Sequence, residues 1–356
     1  MYHPDVGGVE SITKQYAEWL STNNYEVTVL TTYRKRTFKV EKCVINNVKI
    51  IRHSPILIIG PLPISIVYLF HYFILVKSHD IIHIHEPFPI GSFLGSLTFR
   101  KLIIVTFHSD IVKQKGILKF ISVFFAKKSL KRARLITTTS ERLLDSSFIL
   151  SEFKFKTKIL PLSSNTYTPT YSPHSDFLFI GRLSYYKGIE ILLQAVEELK
   201  NLKRKIIVVG KGDKELEDLL IDYSLKYENI VFENKFLSEE EKHNYIKNCY
   251  CFLFPSTYNS EAFGITQVEA LSHGKPVINT NLDTGVPWVS VNGLTGFTAE
   301  PNDVKSLAEL ILKMDQLSIK DYKNFCLNAK NRHQELFGNE KVKNKFLTFF
   351  NSLESG

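Results

Sequence analysis

The chain has 356 residues, 44% hydrophobic and 23% charged, and carries a net charge of +9. That length holds two domains of ordinary size, and the composition excludes disordered, collagen-like and disulfide-stapled chains. The basic surplus is uneven: residues 1–165 hold 23 Lys and Arg against 11 Asp and Glu, whereas residues 166–356 hold 22 against 25. A basic first half points to an anionic surface, nucleic acid or an acidic membrane leaflet, with plain solubility as the bland alternative. Cys43, Cys249, Cys251 and Cys326 form neither a zinc spacing nor a CxxC and read as thiols of a reducing compartment. The polar first residues predict no secretory leader.

In chain order, Gly7-Gly8 stand before a helical run from Val9 to Leu20. Glycines at a helix N-terminus let the backbone approach a phosphate, and a plain turn is the simpler reading. In a doubly wound domain such a turn follows the first strand. Here Met1 stands where that strand should be ending, so a domain lacking its first strand is expected. Tyr25–Thr31 and Val48–Arg52 read as strands. The apolar stretch 56–76 is interrupted at Gly60, Pro61 and Pro63, which leaves Ile64–Val76. That remnant is shorter than the roughly 20 residues a membrane span needs, and it reads as a buried or interfacial helix. Asp80–His85 and Lys101–His108 are apolar strands that bring His85, Glu86 and His108 to their C-terminal ends, where ligands of such sheets bind. In Lys113–Arg134 eight Lys and Arg surround the seven large apolar residues that lie between Ile117 and Phe125, a composition suited to lying on an anionic leaflet. A core helix with a solvated basic end is the alternative.

Residues 157–175, rich in Pro, Ser and Thr, predict a linker, so the domains are placed at 1–165 and 166–337. In the second half the strand Phe177–Ile180 runs into Gly181-Arg182-Leu183 and Lys187-Gly188. An Arg and a Lys at a strand–loop–helix turn can neutralise a diphosphate. The strand Lys205–Gly210 leads into a second glycine turn, Gly210-Lys211-Gly212. Tyr250–Pro255 feeds the stretch PSTYNSEAFGITQVEALSHGKPVINTN. In it Glu261 precedes a helix start at Phe263-Gly264-Ile265-Thr266, Glu269 follows within the helix, and Gly274-Lys275-Pro276-Val277 closes it. Two carboxylates around a helix N-terminus suit a ligand with hydroxyls and anionic groups. The alternatives are the acid and nucleophile of a glycosidase, or two solvated glutamates.

The ordered set from Gly7 to Gly296 resembles the retaining nucleotide-sugar glycosyltransferases of family 4, and among them enzymes of bacterial surface-polysaccharide and lipopolysaccharide synthesis. The resemblance implies a GT-B fold, in which two Rossmann-like α/β domains face across a cleft, with a last helix (about 338–356) packing back on the first domain. It implies transfer of a hexose from a nucleotide diphosphate sugar to a glycan or lipid-linked acceptor, with no divalent metal and no other cofactor. Arg182, Lys187 and the helix start at Gly264, Ile265 and Thr266 would stabilise the diphosphate. Glu261 would hold the donor sugar and Glu269 the ribose. His108 would lie beside the reacting sugar. Gly7, Gly8, Gly181, Gly210, Gly212 and Phe263 would line the donor, and His85 and Glu86 the acceptor side. The enzyme is expected in the cytoplasm, on the inner face of the membrane through 113–134. Two other readings stand beside it: a non-catalytic remnant lacking its first strand, and a nucleic-acid binder, although no nucleic-acid motif accompanies the charge.

Overall fold

The structure is a computed structural model that describes residues 2, 8–37, 39–59, 62–111, 116–199 and 201–354. The chain divides into two compact units, the first of Met1–Thr137, Phe153–Lys158 and Lys343–Gly356, the second of Thr138–Glu152 and Ile159–Val342. Both are assembled from separated stretches, which differs from a single cut near residue 165. The physical reason is visible around residues 138–152. There Arg142 donates to Asn281 and Asp283, each at 3.1 Å, and Ser146 donates to the Asp283 carbonyl at 2.8 Å.

The first part of the chain forms β1 (Thr28–Thr32), β2 (Val40–Ile45), β3 (Val48–His53), β4 (Leu57–Ile59), β5 (Leu62–Ile64), β6 (Ile81–Glu86), β7 (Leu102–Phe107), β8 (Leu135–Thr138) and β9 (Thr157–Ile159). Its helices are α1 (Gly8–Ser21), α2 (Ile66–Ser78), α3 (Pro89–Leu97), α4 (Gly116–Arg132) and α5 (Glu141–Ser146). One sheet has the order β6-β7-β8-β9, a second has the order β1-β3-β2, and β4-β5 is a separate hairpin. β6 and β7 pair in parallel, Ile82 opposite Ile103 and Ile84 opposite Val105. β7 is a near-continuous apolar run, as a strand covered on two faces requires, whereas β6 interleaves His83, His85 and Glu86 with its isoleucines. α1 buries Ile12, Tyr16 and Leu20, spaced four apart on one stripe. The apolar stretch from 56, read as interrupted at 60–63 with a helix over Ile64–Val76, pairs β4 with β5 first and is helical from Ile66. Ser65 caps α2 by accepting from the Tyr68 N–H. Among the described residues no helix is long and apolar enough to cross a membrane.

The second part is more regular. Its strands are β10 (Phe177–Ile180), β11 (Ile206–Val209), β12 (Ile230–Glu233), β13 (Cys251–Leu253), β14 (Val277–Thr280) and β15 (Gly296–Ala299). The helices are α6 (Ile189–Glu198), α7 (Lys214–Lys226), α8 (Glu239–Asn248), α9 (Ile265–Ser272), α10 (Val286–Val289), α11 (Val304–Asp315), α12 (Ile319–Arg332) and α13 (Asn339–Glu354). Every pairing in this sheet is parallel and the order is β12-β11-β10-β13-β14-β15. In chain order that is 3-2-1-4-5-6, the doubly wound arrangement that reverses direction between its first and fourth strands. Lys275 is fully buried under it and donates to the Thr170 carbonyl at 2.8 Å and Ser172 Oγ at 3.0 Å, which ties the chain at 170–172 to the sheet.

The C-terminal part of α13 is held in the first unit by aromatic packing. Phe346 is buried and stacks on Tyr16 with ring centroids 4.4 Å apart, and the Tyr25 hydroxyl donates to Asn351 at 2.9 Å. Phe346→Ala should cost about 3–5 kcal/mol of stability, the usual price of a core Phe truncation, measured by urea unfolding.

Candidate functional site

The reversal of strand order places two loops side by side at the C-terminal edge of the second unit's sheet. One follows β10 and carries Gly181 to Gly188, and the other follows β13 and carries Pro255 to Gly264. They touch backbone to backbone. Thr257 N–H donates to the Tyr186 carbonyl at 2.9 Å. Gly188 has φ +72°, and a Cβ there would stand 1.8 Å from the Pro255 carbonyl oxygen, so only glycine fits. Across this seam Lys187 Nζ and Glu261 Oε2 form an ion pair at 2.5 Å, both side chains largely buried. Burial pulls the Lys187 pKa down, but the adjacent Glu261 carboxylate and Tyr186 outweigh it and the net shift is upward. The ammonium also lies near the rings of Tyr186 and Phe254, 5.3 and 5.1 Å from their centroids. Arg182 is exposed on the same loop.

The second loop ends at Gly264, whose φ of +80° starts α9 with no side-chain cap. A Cβ there would press on the Phe254 ring at 2.5 Å. The Gln267 N–H donates to the Gly264 carbonyl at 3.0 Å, which leaves the N–H groups of Ile265 and Thr266 for a ligand, at the positive end of the helix dipole. One turn along from Ile265, on the same face, stands Glu269. Its Oε1 accepts from Lys242 Nζ at 2.7 Å, while its Oε2 is buried without a hydrogen-bond partner. Burial raises the Glu269 pKa and Lys242 only partly offsets it. Glu239, His243 and Glu269 bring ligand atoms within 4.8 Å of one another, a spacing compatible with a metal ion. Lys242 Nζ already bridges that group, 2.8 Å from Glu239 and 2.7 Å from Glu269.

Several residues singled out in the sequence also serve the frame. Gly210 would drive a Cβ to 2.0 Å from the Gly181 carbonyl oxygen, and Gly212 one to 1.8 Å from that of Leu183. The Gly212 N–H is taken by Glu217 Oε1 at 3.0 Å. These glycines let the turns after β10 and β11 pack together. Phe263 turns its ring inward, toward Trp288 and Phe337. Sequence reasoning missed Gln267 and Asn279, both fully buried. Asn279 donates to Gln267 Oε1, the Val286 carbonyl and the Ser290 carbonyl at 3.0, 2.9 and 3.1 Å, and Gln267 donates to the Phe263 carbonyl at 3.0 Å. This network fixes the peptide chain just before α9. The signal was present, since a polar residue ends the buried run Val277-Ile278-Asn279.

In the first unit the strand ends gather three histidines. His85 Nδ1 and His108 Nε2 share a hydrogen bond of 3.0 Å with rings nearly parallel. His83 Nε2 reaches Thr106 Oγ1 at 2.8 Å, and Tyr16 lies against both His83 and His85. Tyr16 belongs to this cluster although its helical spacing marked it only as core. Glu86 is turned inward. Its Oε2 accepts from the Phe88 N–H at 2.7 Å and its Oε1 from the Ser92 hydroxyl, so it secures the start of α3 and is not offered to an acceptor. Among the described residues a Cβ at Gly8 would meet nothing within 4 Å. Gly7 lies outside the described residues, as do Lys113 and Lys115.

Burial lowers the pKa of His83 to about 3 and of His108 to about 4, and depresses that of His85 well below its ordinary value. These rings are neutral when folded and protonate near 6.5 when unfolded. The unfolded chain then binds more protons below pH 6.5, and stability falls with pH, by about 2 kcal/mol per histidine between pH 7 and 5. Glu86, raised by burial to about 7, opposes this in the same window, because its protonated form is favoured by folding. One carboxyl does not offset three imidazoles. Urea midpoints should drop from pH 7 to pH 5, and His83→Gln should flatten the slope.

Two family models match the chain. Glycosyltransferase Family 4 covers residues 6–147 and Glycosyl transferases group 1 covers residues 169–332. The chain is 27% identical over 366 residues to O-antigen chain mannosyltransferase C of Escherichia coli, covering 99% of this chain and 96% of that one. It is 27% identical over 276 residues to D-rhamnosyltransferase WbpZ of Pseudomonas aeruginosa, covering 74% and 71%. Among solved structures, sucrose-phosphate synthase from Thermosynechococcus elongatus superposes with a TM-score of 0.79 at 19% identity, over 98% of this chain and 94% of that chain. Anabaena HepE, solved in complex with UDP and glucose, superposes with a TM-score of 0.75 at 17% identity, over 99% and 98%. The fold is GT-B, and the chain belongs to the glycosyltransferases, with a family 4 segment followed by a group 1 segment.

Proposed function

We propose that the protein moves a hexosyl residue from a nucleotide diphosphate sugar to a hydroxyl of a glycan or lipid-linked acceptor in surface-polysaccharide synthesis. In this reading the anomeric configuration is retained and no divalent metal is used. The observation that carries it is the Lys187–Glu261 pair at the switch point, beside the uncapped start of α9. The departing diphosphate needs positive charge, and Lys187, Arg182 and the free N–H groups of α9 supply it from fixed positions. Glu261 then offers its carboxylate to the sugar hydroxyls. The unpartnered Oε2 of Glu269 suits a ribose hydroxyl, which would donate to it. We assign the acceptor to the first unit, with His108 beside the reacting sugar and His85 holding its tautomer through their shared hydrogen bond.

The two relatives named above transfer mannose and D-rhamnose, and D-rhamnose is 6-deoxymannose. We therefore infer a mannose-type donor, and place the enzyme on the inner face of the cytoplasmic membrane. A glycosidase has no need of the cations at 182 and 187, so the transferase reading is preferred to a glutamate acid–nucleophile pair.

A thermal-shift panel of GDP-mannose, UDP-glucose, UDP-galactose, UDP-N-acetylhexosamines and dTDP-rhamnose tests this. A saturating donor should raise stability by about 2.7 kcal/mol at a hundredfold excess over Kd. If no donor or free nucleotide moves the melting temperature, the enzyme reading fails. Transfer should persist in EDTA, and its loss would overturn metal independence. Lys187→Met should lower kcat about 10²–10³-fold. Glu261→Gln is preferred to Ala because it keeps a partner for the buried ammonium. Full transfer by that variant would remove Glu261 from the site.

A further inference from the structure

The helices α2, α3 and α4 are inside-out. α4 turns Ser122, Ala126, Ser129 and, near its end, Leu130 inward and leaves Ile117, Phe120, Ile121 and Phe124 exposed. α3 buries Gly91, Ser92, Gly95 and Ser96 around a single large side chain, Leu94, and exposes Phe93 and Leu97. α2 buries Tyr68 and Tyr72 and exposes Ile66, Phe70, Phe73 and Ile74. The close fit within is visible at Gly95, where a Cβ would stand 2.9 Å from Ser129 Oγ. Mostly small residues on the buried faces of α3 and α4, with large apolar ones outside, is the arrangement of proteins packed in lipid. The three helices converge on one apolar groove of about 230 Å³, lined by Leu69 of α2, Ile90 and Phe93 of α3, and Ile121 and Phe125 of α4.

Charge selects the occupant. α2, α3 and α4 contain no Asp or Glu. From Ser54 to Ser140 the chain has 11 Lys and Arg against three acidic residues (Asp80, Glu86, Asp110), a surplus of eight that accounts for nearly all of the protein's +9. Cations stand over exposed rings, Lys128 4.5 Å from the Phe124 centroid and Arg132 4.3 Å from that of Phe99. Long basic side chains beside apolar bodies are suited to an interface between hydrocarbon and anionic headgroups. At 13 and 17 residues, α2 and α4 are too short to span.

We infer that α2, α3 and α4 form a bilayer-docking face that seats on an anionic leaflet and takes one hydrocarbon chain into the groove between them. It deepens the membrane placement proposed above, and rests on that reading for its biological setting. The test is co-flotation of the whole protein with vesicles of phosphatidylcholine, alone or mixed with phosphatidylglycerol. The wild type should float only with the anionic vesicles. Lys128→Glu with Lys131→Glu, and separately Phe70→Ser with Phe120→Ser, should each lower binding roughly 10-fold or more while the donor-induced thermal shift persists. Phe93→Trp should add fluorescence that phosphatidylglycerol with brominated chains quenches. Absence of quenching in floated protein overturns the groove assignment. Wild type that does not float, or variants that float as well as it does, overturn the docking face. A dimer that the Phe70→Ser, Phe120→Ser pair dissociates, with no vesicle binding, assigns the face to a second copy and also overturns it. Flotation without any donor shift would sink the transferase reading alone.

Discussion

The site depends on one topological constraint, the reversal of strand order between β10 and β13. In a parallel sheet the crossover helices of neighbouring strands normally fill the space at the strand ends. Where the winding reverses, the two connections depart to opposite faces and leave a crevice. In this protein the crevice is lined by the two loops that carry Lys187 and Glu261, residues 74 positions apart in the chain. Their ion pair is charge placed in advance. A buried pair is costly to desolvate and contributes little net stability against an apolar alternative, so its presence at a ligand-binding edge is better explained by chemistry than by folding. The glycines at 188, 210 and 212 serve that arrangement by letting three loops meet backbone to backbone.

A second layer holds this charge still. Gln267, in the first turn of α9, and Asn279, in β14, donate their amide groups to the main-chain carbonyls of Phe263, Val286 and Ser290. Such a fully satisfied buried network favours one conformation, because any shift leaves desolvated polar groups unpaired. The first unit follows a different logic. Its histidines are buried, neutral and linked to one another, and Tyr16 packs on them from α1. Neutral imidazoles can accept or donate hydrogen bonds to sugar hydroxyls without a charge to solvate. The inside-out helices lie in that same unit, so the part of the protein assigned to the acceptor is also the part with an apolar, cationic face.

Much of the second unit was legible in the sequence because its strands are short apolar runs with glycine turns between them. Phe177–Ile180 and Lys205–Gly210 were placed to within a residue, since a strand covered on both faces admits little else. The first unit was harder to read. The apolar stretch from 56 to 76 carries no period that separates a hairpin from a helix, and the pairing of Leu57 with Ile64 decides it. α4 could be read as core or surface, because its apolar residues outnumber those any one face can hold. Glu86 looked like a site residue on position alone. Its neighbours Phe88 and Ser92, which claim both oxygens, become neighbours only once α3 begins.

The sequence by itself determined the chemistry available: cations after one strand, carboxylates and a glycine helix start after another, histidines at two strand ends, and a basic, almost acid-free stretch from 54 to 140. Those are properties of residue type and order, and local spacing suffices to see them. Only the tertiary structure decided which of them act together. It paired Lys187 with Glu261, left one oxygen of Glu269 unpartnered, turned Phe263 and Glu86 away, and set the large apolar residues of α2, α3 and α4 outward. Each outcome depends on contacts between residues distant in the chain, and on burial, which no local pattern encodes.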